Sequence, residues 1–289
     1  MKKYLSLVAF SHTIFALPFA LVGLSIGLKL HQPENFLQKT VLVVLCMVFA
    51  RSAAMAFNRY LDRRIDAKNP RTVTREIPSG AISPNAALGF VFMSSFLFFV
   101  TTYFINFKCF ALAPIALLVV LGYSFTKRFT WLCHFVLGLG LSLAPIGAYL
   151  ATGGNFDSIP LIFSVVILFW VGGFDIIYAL QDEDFDKKQS LHSVPTWLGA
   201  KKALRVSEFA HLVAAAAMLF VSVLLQKAFP ESLGFIHWIG ALIFLTMLYY
   251  QHKILNINDL SNINRAFFTT NGLASVLYGS LFLIDFWLI

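Results

Sequence analysis

Apolar residues run in long, nearly unbroken blocks along this chain, and polar residues gather in the stretches between them. The blocks lie roughly at 5–28, 40–57, 85–105, 109–125, 131–151, 160–180, 205–226, 235–252 and 266–287. Each approaches the roughly 20 residues that a helix needs to cross hydrocarbon. A backbone crossing lipid must satisfy its own hydrogen bonds, and blocks this long favour helices over a barrel's short alternating strands. The pattern predicts an all-α polytopic membrane protein with nine spans, forming one integral-membrane domain over 1–289. Pro18, Pro114 and Pro145 fall inside apolar blocks and are expected to kink helices beside a cavity.

Composition sharpens this picture. Of 289 residues, 58% are hydrophobic and 12% charged, against about 25% charged in soluble domains. Cys46, Cys109 and Cys133 lack metal-type spacing and read as packed thiols. The first block has no small-residue cleavage site after it and reads as a span, not a removable signal. The net charge of +8 is explained by topology, so no nucleic-acid partner is expected. With the N-terminus inside, the inner segments hold 17 basic residues and the outer loops four, with Arg51 inside the second span. That asymmetry predicts a cytoplasmic N-terminus in a bacterial-type inner membrane.

The 14 acidic residues are distributed unevenly. Eight of them (Asp62, Asp66, Glu76, Asp175, Asp182, Glu183, Asp184 and Asp186) lie in or just after two clusters at the ends of apolar blocks. Both clusters fall on the predicted cytoplasmic side and open long loops, about 58–84 and 181–204, like two copies of one helix-loop unit. Carboxylates near hydrocarbon are costly and mark function. On a helix, Asn58, Asp62 and Asp66 share a face, as do Asp175, Tyr178, Asp182 and Asp186 approximately. Oxygen-only donors select a hard cation, and Mg²⁺ is commonly held by carboxylates together with substrate phosphates. Arg59, Arg63, Arg64, Lys68, Arg71, Arg75, Lys127, Arg128, Lys187 and Lys188 surround the clusters. Such cations bind phosphate oxygens. Together these residues describe a site for a diphosphate with an apolar tail. A cation transporter is the reading from another class. It would place its acids near mid-membrane on broken helices, whereas these stand at helix ends.

Two motifs carry a family resemblance. Asn58, Asp62 and Asp66 match an NxxxDxxxD pattern, and Asp175, Tyr178, Asp182 and Asp186 match a DxxY pattern followed by further aspartates. With Asn69-Pro70-Arg71-Thr72 and Tyr123-Ser124-Phe125-Thr126-Lys127-Arg128, nearly the whole chain resembles the UbiA superfamily of intramembrane aromatic prenyltransferases. The resemblance implies nine helices around a central cavity, and transfer of a polyprenyl group from polyprenyl diphosphate to an aromatic carboxylic acid in quinone biosynthesis, within membrane lipid. It implies two Mg²⁺ ions held by Asn58, Asp62, Asp66, Asp175, Asp182 and Asp186. Catalytic roles would fall to Asp62, Asp66, Asp175, Asp182 and Tyr178, and diphosphate binding to Arg71, Arg75, Lys127 and Arg128. The segments around His12 and His192 resemble the 4-hydroxybenzoate polyprenyltransferase-like branch, which includes enzymes of the futalosine route to menaquinone. Both histidines are candidate substrate contacts. The acceptor is accordingly 4-hydroxybenzoate, as in ubiquinone synthesis, or a dihydroxynaphthoate.

Overall fold

The computed structural model describes residues 2–8, 15–257 and 259–288. In chain order the helices are α1 (Lys2–Leu7), α2 (Leu17–His31), α3 (Phe36–Asp66), α4 (Pro84–Ile105), α5 (Phe107–Thr126) and α6 (Cys133–Ala151). They continue as α7 (Ser158–Ala179), α8 (Glu183–Lys188), α9 (Val194–Leu198), α10 (Ala200–Ala228), α11 (Ile236–Lys253) and α12 (Thr270–Leu288). Seven helical stretches are long and apolar enough to cross a membrane. The 15-residue α2 is shorter and α11 is not among the seven. Length and apolarity thus support seven crossings among the described residues, where the sequence pattern predicts nine.

The expected first span over 5–28 is divided. Helix α1 ends at Leu7 and α2 begins at Leu17. Pro18 sits in the first turn of α2, not in a helix interior. It lacks an N–H that this turn leaves unpaired anyway, and its fixed φ suits a helix start. Pro114 and Pro145 do lie inside α5 and α6. Their neighbours Ala113, Ile115, Ala144 and Ile146 line the central cavity. The three cysteines are free thiols of intermediate exposure.

Helix α7 is the hub. It packs against α6 on one side and α10 on the other. Trp170, Phe163, Val166 and Ile167 are fully buried in the main cluster, with Phe19 of α2 and Phe244 of α11. Close helix approach here requires glycine. A Cβ at Gly138 of α6 would overlap the Leu168 carbonyl oxygen of α7, and one at Gly23 of α2 would overlap that of Pro145. Small residues let membrane helices meet backbone to backbone, where dispersion must replace a hydrophobic driving force.

These contacts position the two acidic clusters at one end of the bundle. Helix α3 has 31 residues, about 46 Å at the α-helical rise. That exceeds a hydrocarbon layer of about 30 Å, so its final turns carry Asn58, Asp62 and Asp66 past the apolar stretch. Helix α7 ends at Ala179, and a 3₁₀ turn over Leu180–Asp182 leads into α8. The second cluster spans that change of helical geometry.

Gly138→Val is expected to wedge α6 from α7 and destabilise the protein by about 1–3 kcal/mol or more. Thermal unfolding in detergent checks this, and an unchanged midpoint would show that the backbone contact contributes nothing.

Candidate active site

One cavity of about 790 Å³ opens between α3, α5, α6 and α7. Most of its wall is apolar, including Val43, Met47, Phe98, Ile105, Leu112 and Val120. Its charged end is built by Arg59, Arg71, Arg75, Lys127, Asp175, Asp182 and Asp186. Asn58, Tyr123, His134, Tyr178 and His192 also line it. This size falls in the usual range for small-molecule sites, about 300–1,000 Å³.

Each buried carboxylate of the first cluster is held by cations. Asp62, 2% exposed, pairs with Lys127 Nζ at 2.5 Å and with Arg128 Nη2 at 2.7 Å. The Asn58 side-chain amide donates to Asp62 Oδ2 at 3.3 Å. Arg75 donates to Asp66 Oδ1 at 2.8 Å. Asp62, Asp66 and Arg128 therefore stand behind the cavity wall. Asn58, Arg75 and Lys127 form its surface.

The loop after α3 crosses to the second cluster. Thr72 Oγ1 donates back to the Asp66 carbonyl at 3.0 Å, which turns the chain. Asn69 Nδ2 then donates to Asp182 Oδ1 at 3.0 Å. Arg71 makes a forked contact with Asp182, with Nε on Oδ1 at 3.0 Å and Nη2 on Oδ2. Its Nη1 donates to the Tyr178 hydroxyl at 3.0 Å. Such two-pronged pairs are the stronger charge-assisted kind. Burial, the largest single influence on Arg71, works against its charge. The hydrogen bond and charge of Asp182, aided by Tyr178 and Asp66, outweigh it and hold the guanidinium above its ordinary pKa. Tyr178 stacks on Phe267 with ring centroids 4.1 Å apart, and both line the cavity.

Asp175 is bound from another direction. His134 Nδ1 lies 2.7 Å from Asp175 Oδ2. The Val194 N–H donates to His134 Nε2 at 3.2 Å. His192 is exposed, and its backbone fixes it: its N–H donates to the Lys127 carbonyl at 2.7 Å, and its carbonyl accepts from Cys133 Sγ at 3.5 Å. His12 lies outside the described residues.

Among the described residues, no three His, Cys, Asp or Glu side chains stand assembled to hold one metal ion. The expected six-residue ligand set is thus gathered around one cavity end but not drawn together. Asp62, Asp66 and Asp182 are occupied by Arg and Lys and Asp175 by His134, because an unpaired carboxylate there costs several kcal/mol. The residues nevertheless fit a hard cation. Asp66 Oδ2 is buried without a hydrogen-bond partner, an anionic oxygen left for a ligand to satisfy.

Sequence reading missed several wall residues. His134 stands at the start of an apolar block, close after Lys127 and Arg128, and that placement was the available signal. Arg51 stands out in the sequence only as a charge inside a span. It lines the cavity, seven residues before Asn58, about 10 Å deeper along α3. Asn69, 7% exposed and not part of the wall, binds Asp182 from 113 residues away, a contact that local spacing does not announce.

The Arg71–Asp182 pair gives a prediction. Arg71→Leu and Asp182→Asn combined in a double-mutant cycle should show a coupling of about 0.5–3 kcal/mol in thermal stability. Strict additivity would mean that the two long loops are not joined through this contact.

Comparison with known proteins places this arrangement. Residues 16–273 match the model of the UbiA prenyltransferase family. A 4-hydroxybenzoate octaprenyltransferase from Vesicomyosocius okutanii is 30% identical over 249 residues, covering 84% of this chain and 86% of that protein. The apo structure of a UbiA homolog from Aeropyrum pernix superposes with a TM-score of 0.82 at 30% identity, covering 95% of this chain and 98% of the other. A UbiA homolog from Archaeoglobus fulgidus bound to GPP and Mg²⁺ has a TM-score of 0.71 at 21% identity, covering 98% and 99%. At that identity the likeness concerns the fold. The expectation of an aromatic prenyltransferase on an all-helical membrane scaffold is borne out by the family match and the relative's name. The shared fold, the paired acidic clusters and the match over most of its length show that the chain belongs to the UbiA prenyltransferase family.

Proposed function

We propose that this protein transfers a polyprenyl group from polyprenyl diphosphate to a ring carbon of 4-hydroxybenzoate, in a Mg²⁺-dependent reaction at the cytoplasmic end of the bundle. The observation that carries this reading is the cavity itself: a long apolar wall that ends in Arg71, Arg75 and Lys127 facing Asp175, Asp182 and Asp186. That is the shape and charge of a diphosphate with an isoprenoid tail. The relative named 4-hydroxybenzoate octaprenyltransferase supports the acceptor.

Asn58, Asp62, Asp66, Asp175, Asp182 and Asp186 are the residues that would hold Mg²⁺. When bound, the ion neutralises diphosphate charge and makes it a better leaving group. Arg71, Arg75 and Lys127 reach the cavity surface and bind the diphosphate oxygens, with Arg128 supporting Asp62 from behind. Their present carboxylate partners are the contacts a diphosphate would compete with. The apolar wall along α3, α5 and α6 takes the tail and excludes water, which would otherwise trap an allylic cation. The C–O bond breaks with its electron pair leaving on the diphosphate. The ring carbon forms the new C–C bond, and the ring then loses its proton. The stacked Tyr178–Phe267 pair presents aromatic surface to this space, which favours a passing cation.

The acceptor's carboxylate needs a cation away from the diphosphate. Arg51 lines the cavity deeper along α3 and supplies it. A charged residue at membrane depth facing a cavity is a functional site by default.

Purified protein, labelled prenyl diphosphate and Mg²⁺ should yield prenylated 4-hydroxybenzoate in preference to prenylated dihydroxynaphthoate, and a chelator should abolish the product. The reverse preference would move the enzyme to the menaquinone route. Absence of transfer to every phenolic acid would overturn the reading. Arg51→Met should raise KM for the acid by about tenfold or more, in line with loss of a charged hydrogen bond, with KM for prenyl diphosphate unchanged. An effect on prenyl diphosphate alone would reassign Arg51.

A further inference from the structure

His134 stands outside both acidic motifs, yet both of its ring nitrogens are bonded at the site. Its ring is 2% exposed and is wedged between Asp175 of α7 and the first residue of α9. The Val194 N–H belongs to the first turn of α9, where helix donors lack partners within the helix. Because that N–H donates to Nε2, Nε2 carries the lone pair, and Nδ1 carries the proton it gives to Asp175 Oδ2. The imidazole thus uses one donor and one acceptor, each on a different element.

The neighbouring contacts extend this tie. Cys133 donates to the carbonyl of His192, and the His192 N–H donates to the Lys127 carbonyl. Lys127 in turn pairs with Asp62. The segment 192–194 is therefore bonded to the start of α6 and to the residue that clamps the first cluster. Through His134 it is also bonded to the second.

We propose that His134 is a positioning residue. It pins Asp175 Oδ2 so that the carboxylate faces the cavity in one orientation, and it anchors the 192–194 segment against the same wall. This rests on the reading of Asp175 as part of the diphosphate–Mg²⁺ site. Partners of this kind, bonded to a metal-binding carboxylate from outside, set its geometry, and their loss costs about 10–100-fold in metal affinity or activity.

Two substitutions separate the hydrogen bonds from the ring. His134→Leu removes donor and acceptor together. His134→Gln keeps one of each in a side chain of similar reach. In purified full-length protein, His134→Leu should lower kcat and raise the Mg²⁺ concentration for half-maximal rate, each by about 10–100-fold. KM for the aromatic acid should not move, and His134→Gln should restore most of both losses.

A readout without catalysis is thermal stabilisation by Mg²⁺ with inorganic pyrophosphate. It should be seen in the wild type and in His134→Gln, and lost in His134→Leu. Wild-type behaviour of His134→Leu in both measurements, or an equal fall in the Gln variant, would overturn the proposal. If His134→Leu does not fold, Val194→Pro tests the same tie. Proline suits a helix's first position, and Ser193 before it is already extended, with φ −153° and ψ 165°. That variant should also need more Mg²⁺, and an unchanged requirement would contradict the proposal. A wild type with no transferase activity, but with pyrophosphate stabilisation lost in His134→Leu, would refute the transferase reading while leaving His134 in its role.

Discussion

Everything at the charged end of this bundle follows from the cost of a carboxylate near hydrocarbon. Asp62 and Asp66 are almost fully buried, and a buried ion must find compensating partners. Here the partners come from elsewhere in the chain. Lys127 and Arg128 reach Asp62 from the end of α5, and Arg75 reaches Asp66 from the loop. Arg71 carries that loop across to Asp182. Satisfying the acids therefore assembles the site, because Lys127, Arg75 and Arg71, which neutralise them, are brought to the cavity surface.

The result is a site poised between two sets of partners. On the proposed function, substrate phosphates and metal ions bear the same charges as the residues now paired there, so an incoming diphosphate would exchange partners without exposing bare charge. The rest of the fold supports this exchange. Helix α7, gripped by α6 and α10 at glycine-permitted distances, fixes Asp175 and Tyr178. The helix geometry then changes at Leu180–Asp182, which lets Asp182 and Asp186 line the same cavity as Asp175.

Much of this was legible in the sequence, because hydropathy and charge act over whole segments. The apolar blocks from 85 onward correspond to α4 to α7 and α10 to α12 within a few residues, and the two acidic clusters meet at one cavity. What sequence did not show depends on single contacts. Pro18 sits in an apolar run, which suggests a kink, but its lack of an N–H suits the helix start where it stands. Asp62 and Asp66 were expected to face the ligand, yet their demand for cations drew Lys127 and Arg75 in front of them. His134 is separated by 41 residues from Asp175 and by 60 from Val194. No local spacing announces such a bridge.

On the proposed function, the carboxylates now held by Arg and Lys become the metal's ligands when substrate binds. A structure with Mn²⁺ and a non-hydrolysable prenyl diphosphate, with the ion located by its anomalous scattering, tests this most directly. Metal is expected between the Asp62/Asp66 and Asp175/Asp182 clusters, with Arg71 and Lys127 moved from carboxylate onto diphosphate oxygens. Metal bound elsewhere, with the Arg71–Asp182 and Lys127–Asp62 pairs intact, would contradict it.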